Sequence, residues 1–318
     1  MTMEIIQFHK DYIPDAATLF VQNYQGLRLA VPVLPDLMED RIHVEKMLTG
    51  RFDGSSGIIA LEHGHLVGYL CWFLVDRFRE TDRRGAYVPE WGYGCMEEGK
   101  EKIIQAMYRA AGESWATAGC QVHAITLLAN DRPAERTWFW NGFGLTVVDA
   151  IRPMISLQTT SNSNLLIRKA VQDDAEALTE LDKEHWKHYS RSPIFMPPRP
   201  GKSLDENIEF LSRPKNSIWI AQDGNELAGF IRYEGYDFDS AAILESEDGI
   251  TITGAYVRPA YRGQKVAAAL LDAALRDYQA RGLKYCAVNF ESFNPEAHSF
   301  WMKYFEPVCF SLLRVPET

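Results

Sequence analysis

The sequence predicts an α/β protein built as two successive halves of one plan. Three observations carry this. A strand–tight loop–helix unit runs from Ile250 to Gly282, a wholly polar, small-residue stretch lies mid-chain at Gln158–Asn164, and the same order of elements is legible on both sides of that stretch. The 158–164 stretch has the composition of a linker, which divides the chain into domains at 1–157 and 165–318.

In the first half, Met3–Phe8 reads as a strand and Asp11–Tyr24 as a helix with Ala16, Leu19, Phe20 and Tyr24 on one face. A second helix covers Leu37–Leu48. Gly57–Glu62 and His65–Phe73 form a hairpin around His63-Gly64. Gly85-Ala86-Tyr87-Val88-Pro89 opens a long glycine-containing loop to Gly99, and a helix over Lys102–Ala118 closes at Gly119. Val122–Leu128 is a strand, Arg132–Trp140 a short helix and Thr146–Leu157 a last strand region.

The second half repeats the programme. Leu165–Ala170 is a strand, Asp173–Lys187 a helix, Ser190–Gly201 a proline-rich crossing and Leu204–Leu211 a helix. Ser217–Gln222 and Glu226–Tyr233 turn at Asp223-Gly224-Asn225. Ile250–Val257, β-branched and aromatic, is a strand that Pro259 ends, since proline offers no N–H to a ladder. Val266, Leu270, Ala274 and Tyr278 then recur at helical spacing up to the Arg281-Gly282 stop. Tyr285–Phe290, Pro295–Tyr304 and Val308–Arg314 finish as strand, helix and strand. Letters repeat as well as order. Gly85–Val88 matches Gly254–Val257, and Thr137–Trp140 answers Ser299–Trp301, each group following an asparagine (Asn130, Asn294).

Composition narrows the function classes. A net charge of −10 argues against nucleic acid, whose phosphates call for a basic face. No run of 18 apolar residues is present and the first residues lack a leader pattern, so neither a membrane span nor secretion is expected. Five scattered cysteines read as reduced thiols of a cytoplasmic protein. His185 and His188 lack a third ligand nearby, and no metal is expected.

The loop Arg262-Gly263-Gln264-Lys265-Val266-Ala267, between that strand and helix, gathers backbone N–H groups and a helix N-terminus at one place, which suits an anion. It resembles motif A of the GCN5-related N-acetyltransferases (GNAT), whose pattern Arg/Gln-x-x-Gly-x-Gly/Ala grips the pyrophosphate of acetyl-CoA. Lys265 stands where the family usually has its middle glycine, and its ammonium offers charge in place of backbone access. The resemblance implies two tandem domains, each a mixed, mostly antiparallel sheet flanked by helices. It covers both halves in layout and is motif-specific between about Ile250 and Tyr304. It further implies acyl transfer from acetyl-CoA to a primary amine by direct attack in a ternary complex, with no metal.

On that resemblance the co-substrate site comprises Ala255, Tyr256, Val257, Arg262, Gly263, Gln264, Lys265, Val266, Ala267 and Asn294. The central strands are expected to splay after Val257, whose N–H then meets the oxyanion. Asn294 reaches the pantetheine arm or caps the helix begun by Pro295. Where relatives keep a proton-donating tyrosine the chain has Trp301, so Tyr304, one turn on, is the candidate acid or else a packing aromatic. Thr251 falls where many relatives place a glutamate, leaving Glu247 or Asp248 as candidate base. Asp237, Asp239, Glu245, Glu247 and Asp248 form an acidic loop that either lines the acceptor side, favouring a polyamine, aminoglycoside-like or lysine-like amine, or is merely solvated. Trp186 and Tyr189 read as a wall over the acceptor groove.

If Gly99 answers Arg262, the first half's loop is six residues longer and puts Glu97 and Glu98 where a diphosphate would sit, so that half reads as degenerate. The alternative to an enzyme is a non-catalytic acyl-CoA sensor or scaffold. The partner is a small-molecule or peptide amine; a homodimer is left open.

Overall fold

The computed structural model describes residues 3–51, 56–159, 165–235 and 240–317. The first half contains β1 (Glu4–Gln7), α1 (Ile13–Ala30), α2 (Arg41–Arg51), β2 (Gly57–Glu62), β3 (His65–Cys71), β4 (Phe73–Val75), β5 (Gly85–Val88), β6 (Tyr93–Cys95), α3 (Lys100–Thr117), β7 (Val122–Leu128), α4 (Arg132–Trp140) and β8 (Gly144–Pro153). The second half contains β9 (Leu166–Lys169), α5 (Ala175–Tyr189), α6 (Leu204–Ser212), β10 (Ser217–Asp223), β11 (Glu226–Glu234), β12 (Gly249–Val257), α7 (Val266–Ala280), β13 (Tyr285–Glu291), α8 (Pro295–Tyr304) and β14 (Glu306–Arg314). The elements read from periodicity are present within a few residues at their ends, except that α1 runs six residues past Tyr24 and the helix read over Leu37–Leu48 is a 3-10 turn at Leu37–Glu39 followed by α2. The short strands β4 and β6 are not signalled in the sequence.

Strands run β1-β2-β3-β6 in one sheet and β4-β5-β7-β14-β8-β13-β12-β11-β10-β9 in a ten-stranded sheet. The pairings are antiparallel except β5 with β7 and β12 with β13. The two halves exchange their last strands. β8 of the first half pairs with β13 of the second, β14 returns to pair with β7, and β8 and β14 lie side by side. Each half therefore completes its sheet with the other's chain, and the core runs unbroken beneath both, from Trp115 and Trp138 to Leu271 and Tyr278. The sequence linker lies partly outside the described residues, at 160–164.

The register corrects the letter repeat. Gly85–Val88 pairs in parallel with Val122–Ile125, as Gly249–Ile252 pairs with Tyr285–Val288. Gly254–Val257 lies beyond the parallel part of β12 and pairs only with β11. Its counterpart is β6, because Gly68↔Cys95 answers Gly229↔Val257. The matching tetrapeptides thus occupy different places in the two halves. Likewise the cap of α4 is Asp131, accepting from the Ala134 N–H, so Asp131 rather than Asn130 answers Asn294.

Candidate active site

The two central strands of the second half part early. Parallel pairing of β12 with β13 ends at Ile252↔Val288, and a bulge interrupts the β11 ladder between the Arg232 and Tyr233 pairs. The splay therefore begins at Thr253 rather than after Val257. Arg258 donates its N–H to the Ala228 carbonyl at 2.9 Å. By strand alternation the N–H groups of Val257 and Ala255 then point away from β11, into the wedge. This wedge opens into a cleft of 1160 Å³ lined by both halves.

Below the wedge the chain makes a tight loop into α7. Gly263 has φ +77° and an ideal Cβ there would meet open space. Lys265 is the α7 N-cap at φ +60°, a left-handed position that costs a side-chain-bearing residue about 1 kcal/mol. That strain is why glycine suits the motif at this place. Lys265 is exposed and Val266 is buried under the helix. The helix N-terminus lies at the end of this loop, the kind of place where backbone N–H groups can bind an anion. Arg262 turns inward: Nε donates to the Val257 carbonyl at 3.0 Å and Nη1 pairs with Glu296 at 2.7 Å. It ties the loop to the end of β12 and to α8, and Gln264 donates to the Ala260 carbonyl at 3.1 Å. Tyr256 is buried, its ring 5.8 Å from the Arg262 guanidinium. Asn294 caps α8 by accepting from the Ala297 N–H at 3.2 Å, and its side chain also meets the Tyr189 hydroxyl. Of this stretch, Arg262 and Ala267 line the cleft together with Gly254–Val257 of the wedge and Asn294.

Two expected catalytic residues are not brought here. Tyr304 packs between Phe300 and Lys303 and does not line the cleft. Glu247 is 95% exposed beside Lys215, ten residues before Val257 and so roughly 30 Å away along the strand. It sits at the wrong end of β12 because the acidic loop precedes the strand while the wedge opens at its far end. Asp248 pairs there with Lys284 at 2.7 Å, and Glu245 also lies outside the cleft. Asp237 and Asp239 fall outside the described residues.

The cleft instead collects groups that the sequence reading passed over or gave only a wall's role. Glu234 ends β11 directly opposite Thr251, and Thr253 Oγ1 donates to its Oε1 at 2.8 Å. Tyr189 and His185 line it from α5, their rings 4.7 Å apart. Burial pushes the Tyr189 hydroxyl well up, with Glu291 adding to the effect. Burial also holds the His185 pKa down near about 3, with the Arg232 charge second, so the ring is neutral at pH 7. His188, paired with Glu296 at 3.1 Å, is likewise lowered by burial. The signal for Glu234 is a cross-strand one: the carboxylate missing at Thr251 appears on its partner, where Cβ atoms lie about 5 Å apart.

The corresponding place in the first half is closed. Met96–Gly99 alone joins β6 to α3, against Arg258–Lys265 between β12 and α7. The loop is thus four residues shorter than its counterpart, not six longer; Gly99, left-handed at φ +71°, answers Lys265. Lys100, only 6% exposed, fills the space, its ammonium 2.7 Å from Glu97 and 2.8 Å from Asp131. The wedge position between β5 and β6 is taken by Pro89–Gly92, where buried Glu90 accepts the Ile243 N–H at 3.2 Å and so holds a turn of the second half.

These features set an open cleft at the splayed strands of the second half against a filled one in the first. Residues 178–305 match the model of the acetyltransferase (GNAT) family. No curated protein matches the sequence. Among solved structures, a GCN5-related N-acetyltransferase from Sphaerobacter thermophilus superposes with TM-score 0.60 at 13% identity, covering 98% of this chain and 95% of that one. The glucosamine N-acetyltransferase region of a fungal multi-domain GH3 β-N-acetylglucosaminidase gives 0.54 at 12%, covering 98% of this chain and 38% of that one. At such identities the likeness is one of fold. The family match thus lies within the second half, and the chain as a whole shares its fold with the Sphaerobacter thermophilus protein. Among the described residues no group of three or more His, Cys, Asp or Glu is placed to hold a metal, and no helix is long and apolar enough to cross a membrane.

Lys265 gives a direct test of the phosphate end. Lys265→Gly should relieve the left-handed strain, raising stability by about 0.5–1 kcal/mol while CoA affinity stays within about threefold. Lys265→Glu should weaken CoA by about tenfold or more. Calorimetry with CoA reads both, and equal affinity in all three proteins would place the phosphates elsewhere.

Proposed function

We propose that the protein is an N-acetyltransferase that moves acetyl from acetyl-CoA to an amine, using one site per chain, in the second half. The observation that supports this most is the wedge at Thr253–Val257, opening above a helix N-terminus on one side and a two-walled cleft on the other. Acetyl-CoA, when bound, supplies a thioester whose carbonyl carbon takes the amine nitrogen and whose thiolate leaves, taking up the second proton that the nitrogen sheds after attack. The N–H groups of Ala255 and Val257 stabilise the negative charge that develops on the carbonyl oxygen. Glu234, held by Thr253, takes the proton the ammonium must lose, directly or through one water. Tyr189, kept protonated by burial, donates a hydrogen bond on the acceptor side. Loop Arg258–Lys265, the α7 N-terminus and Asn294 hold the co-substrate. A cytoplasmic setting goes with this reading and with five buried free thiols.

Thiol release from acetyl-CoA by the full chain, against amines, amino acids and peptides, tests it. Release dependent on one class of amine, with about one CoA bound per chain, is the expected result. CoA binding without transfer to any amine would make the chain a sensor instead. Two CoA molecules per chain would overturn the asymmetry of the halves.

A further inference from the structure

Resting on that reading, we propose that the acceptor amine also carries an anionic group, held by arginines of the first half. The hairpin between β4 and β5 reaches across the cleft mouth. Arg77, Arg79 and Arg83 all line the cleft from it. Arg77 and Arg83 are exposed, with no ion pair among the described residues. Arg79 pairs with Glu291, at the end of β13, at 3.3 Å, both side chains partly buried. A second contact between the halves joins Glu80 of the hairpin to Arg199 at 2.8 Å, and the Arg199 guanidinium lies 4.6 Å from the Trp186 ring. Arg79 and Glu80 are both left-handed, at φ +50° and +61°, so the tip is held in a conformation that side-chain-bearing residues seldom adopt.

This arrangement sorts acceptors by charge. A bare polycation entering the cleft meets three guanidinium groups on the far wall, in a chain whose net charge is −10. An amine with a carboxylate or phosphate presents each wall with its opposite. Its ammonium faces Glu291 and Glu234, and its anion meets the forked donors of the hairpin, which match either group. The Arg79–Glu291 pair is then a lock that such a molecule opens, replacing each partner by its own charge. The first half, closed to CoA, supplies acceptor recognition.

The test uses the full chain with saturating CoA and matched probes: α-amino acids against their decarboxylated amines, and O-phosphoethanolamine against ethanolamine. Binding is read by calorimetry. At least one anionic member should bind tenfold or more tighter than its bare amine, and which pair does so separates carboxylate from phosphate. Arg79→Asn, tolerant of the left-handed backbone, combined with Arg83→Gln should erase that preference and leave CoA affinity unchanged. Arg83→Gln alone, at an exposed position, should reduce it without touching the fold. Tighter binding of bare amines, a preference that survives both substitutions, loss of CoA affinity instead, or binding of no probe would each overturn the proposal. If CoA itself fails to bind, the acetyltransferase reading falls, while the charge preference is still measured on the free protein.

Discussion

Arg232→Leu should destabilise the chain by about 3–5 kcal/mol, the usual cost of stranding one member of a buried ion pair. The Arg232 Nη2 and Asp182 Oδ2 atoms are 2.7 Å apart, with side chains 5% and 0% exposed. Asn207 joins through its Oδ1 at 3.3 Å, and the guanidinium lies 5.2 Å from the rings of Phe210 and Phe230. Without Arg232 a carboxylate remains at zero exposure among Leu178, Leu181 and Phe210 with nothing to balance it. Asp182→Leu should do comparable harm by stranding the guanidinium. The double change Asp182→Leu/Arg232→Met should lose far less, because two apolar groups replace two desolvated charges. Thermal unfolding checks this, with the singles falling by roughly 10 °C on the scale expected for a chain of this size. A double variant as unstable as the sum of the singles would show that the pair does more than neutralise itself. The pair matters to the site because it ties α5, with His185 and Tyr189, to β11 and so to Glu234.

How much of this was legible depends on the range of the interaction concerned. Helices α3, α7 and α8 announce themselves by apolar spacing and by stops or caps at Gly119, Gly282 and Asn294, all local signals. The motif loop was readable for the same reason: its chemistry lies in consecutive residues. The strand exchange was not, since β8 and β14 are ordinary apolar strands whose partners are chosen by three-dimensional closure rather than by sequence. The repeated Gly-Ala-Tyr-Val misled because letters carry no register. Only the pairing of β5 with β7 shows that it answers Gly249–Ile252. The same offset makes a loop four residues shorter than its counterpart look six residues longer when Gly99 is set against Arg262. Glu247 is near the central strand in sequence, but a strand separates its two ends by the length that brings Glu234, on the neighbouring strand, alongside.

Glu234→Gln should lower kcat by about 10²-fold or more with acetyl-CoA affinity unchanged. On the proposed reading the acceptor enters as an ammonium at neutral pH and attack needs its lone pair, so a carboxylate beside the wedge would set the rate at which that pair is freed. Glu234 is the cleft-lining carboxylate that stands against Thr251, and its Oε1 accepts from Thr253 at 2.8 Å. Glutamine keeps the shape and that hydrogen bond while losing the basicity. If the carboxylate is the base, the defect should shrink as pH rises, because the amine then sheds its proton to water unaided. A purely structural loss would not be rescued by alkali. Thr253→Val should cost less, about three- to tenfold, since it frees the carboxylate to wander without removing it. Tyr304→Phe and Glu247→Gln, both outside the cleft, serve as controls and should stay near wild type. A Glu234→Gln protein as active as wild type, with Glu291→Gln disabled in its place, would move the base to the end of β13. That outcome would make the residue paired with Arg79 the one that reacts, and the hairpin of the first half would then gate the proton as well as the acceptor.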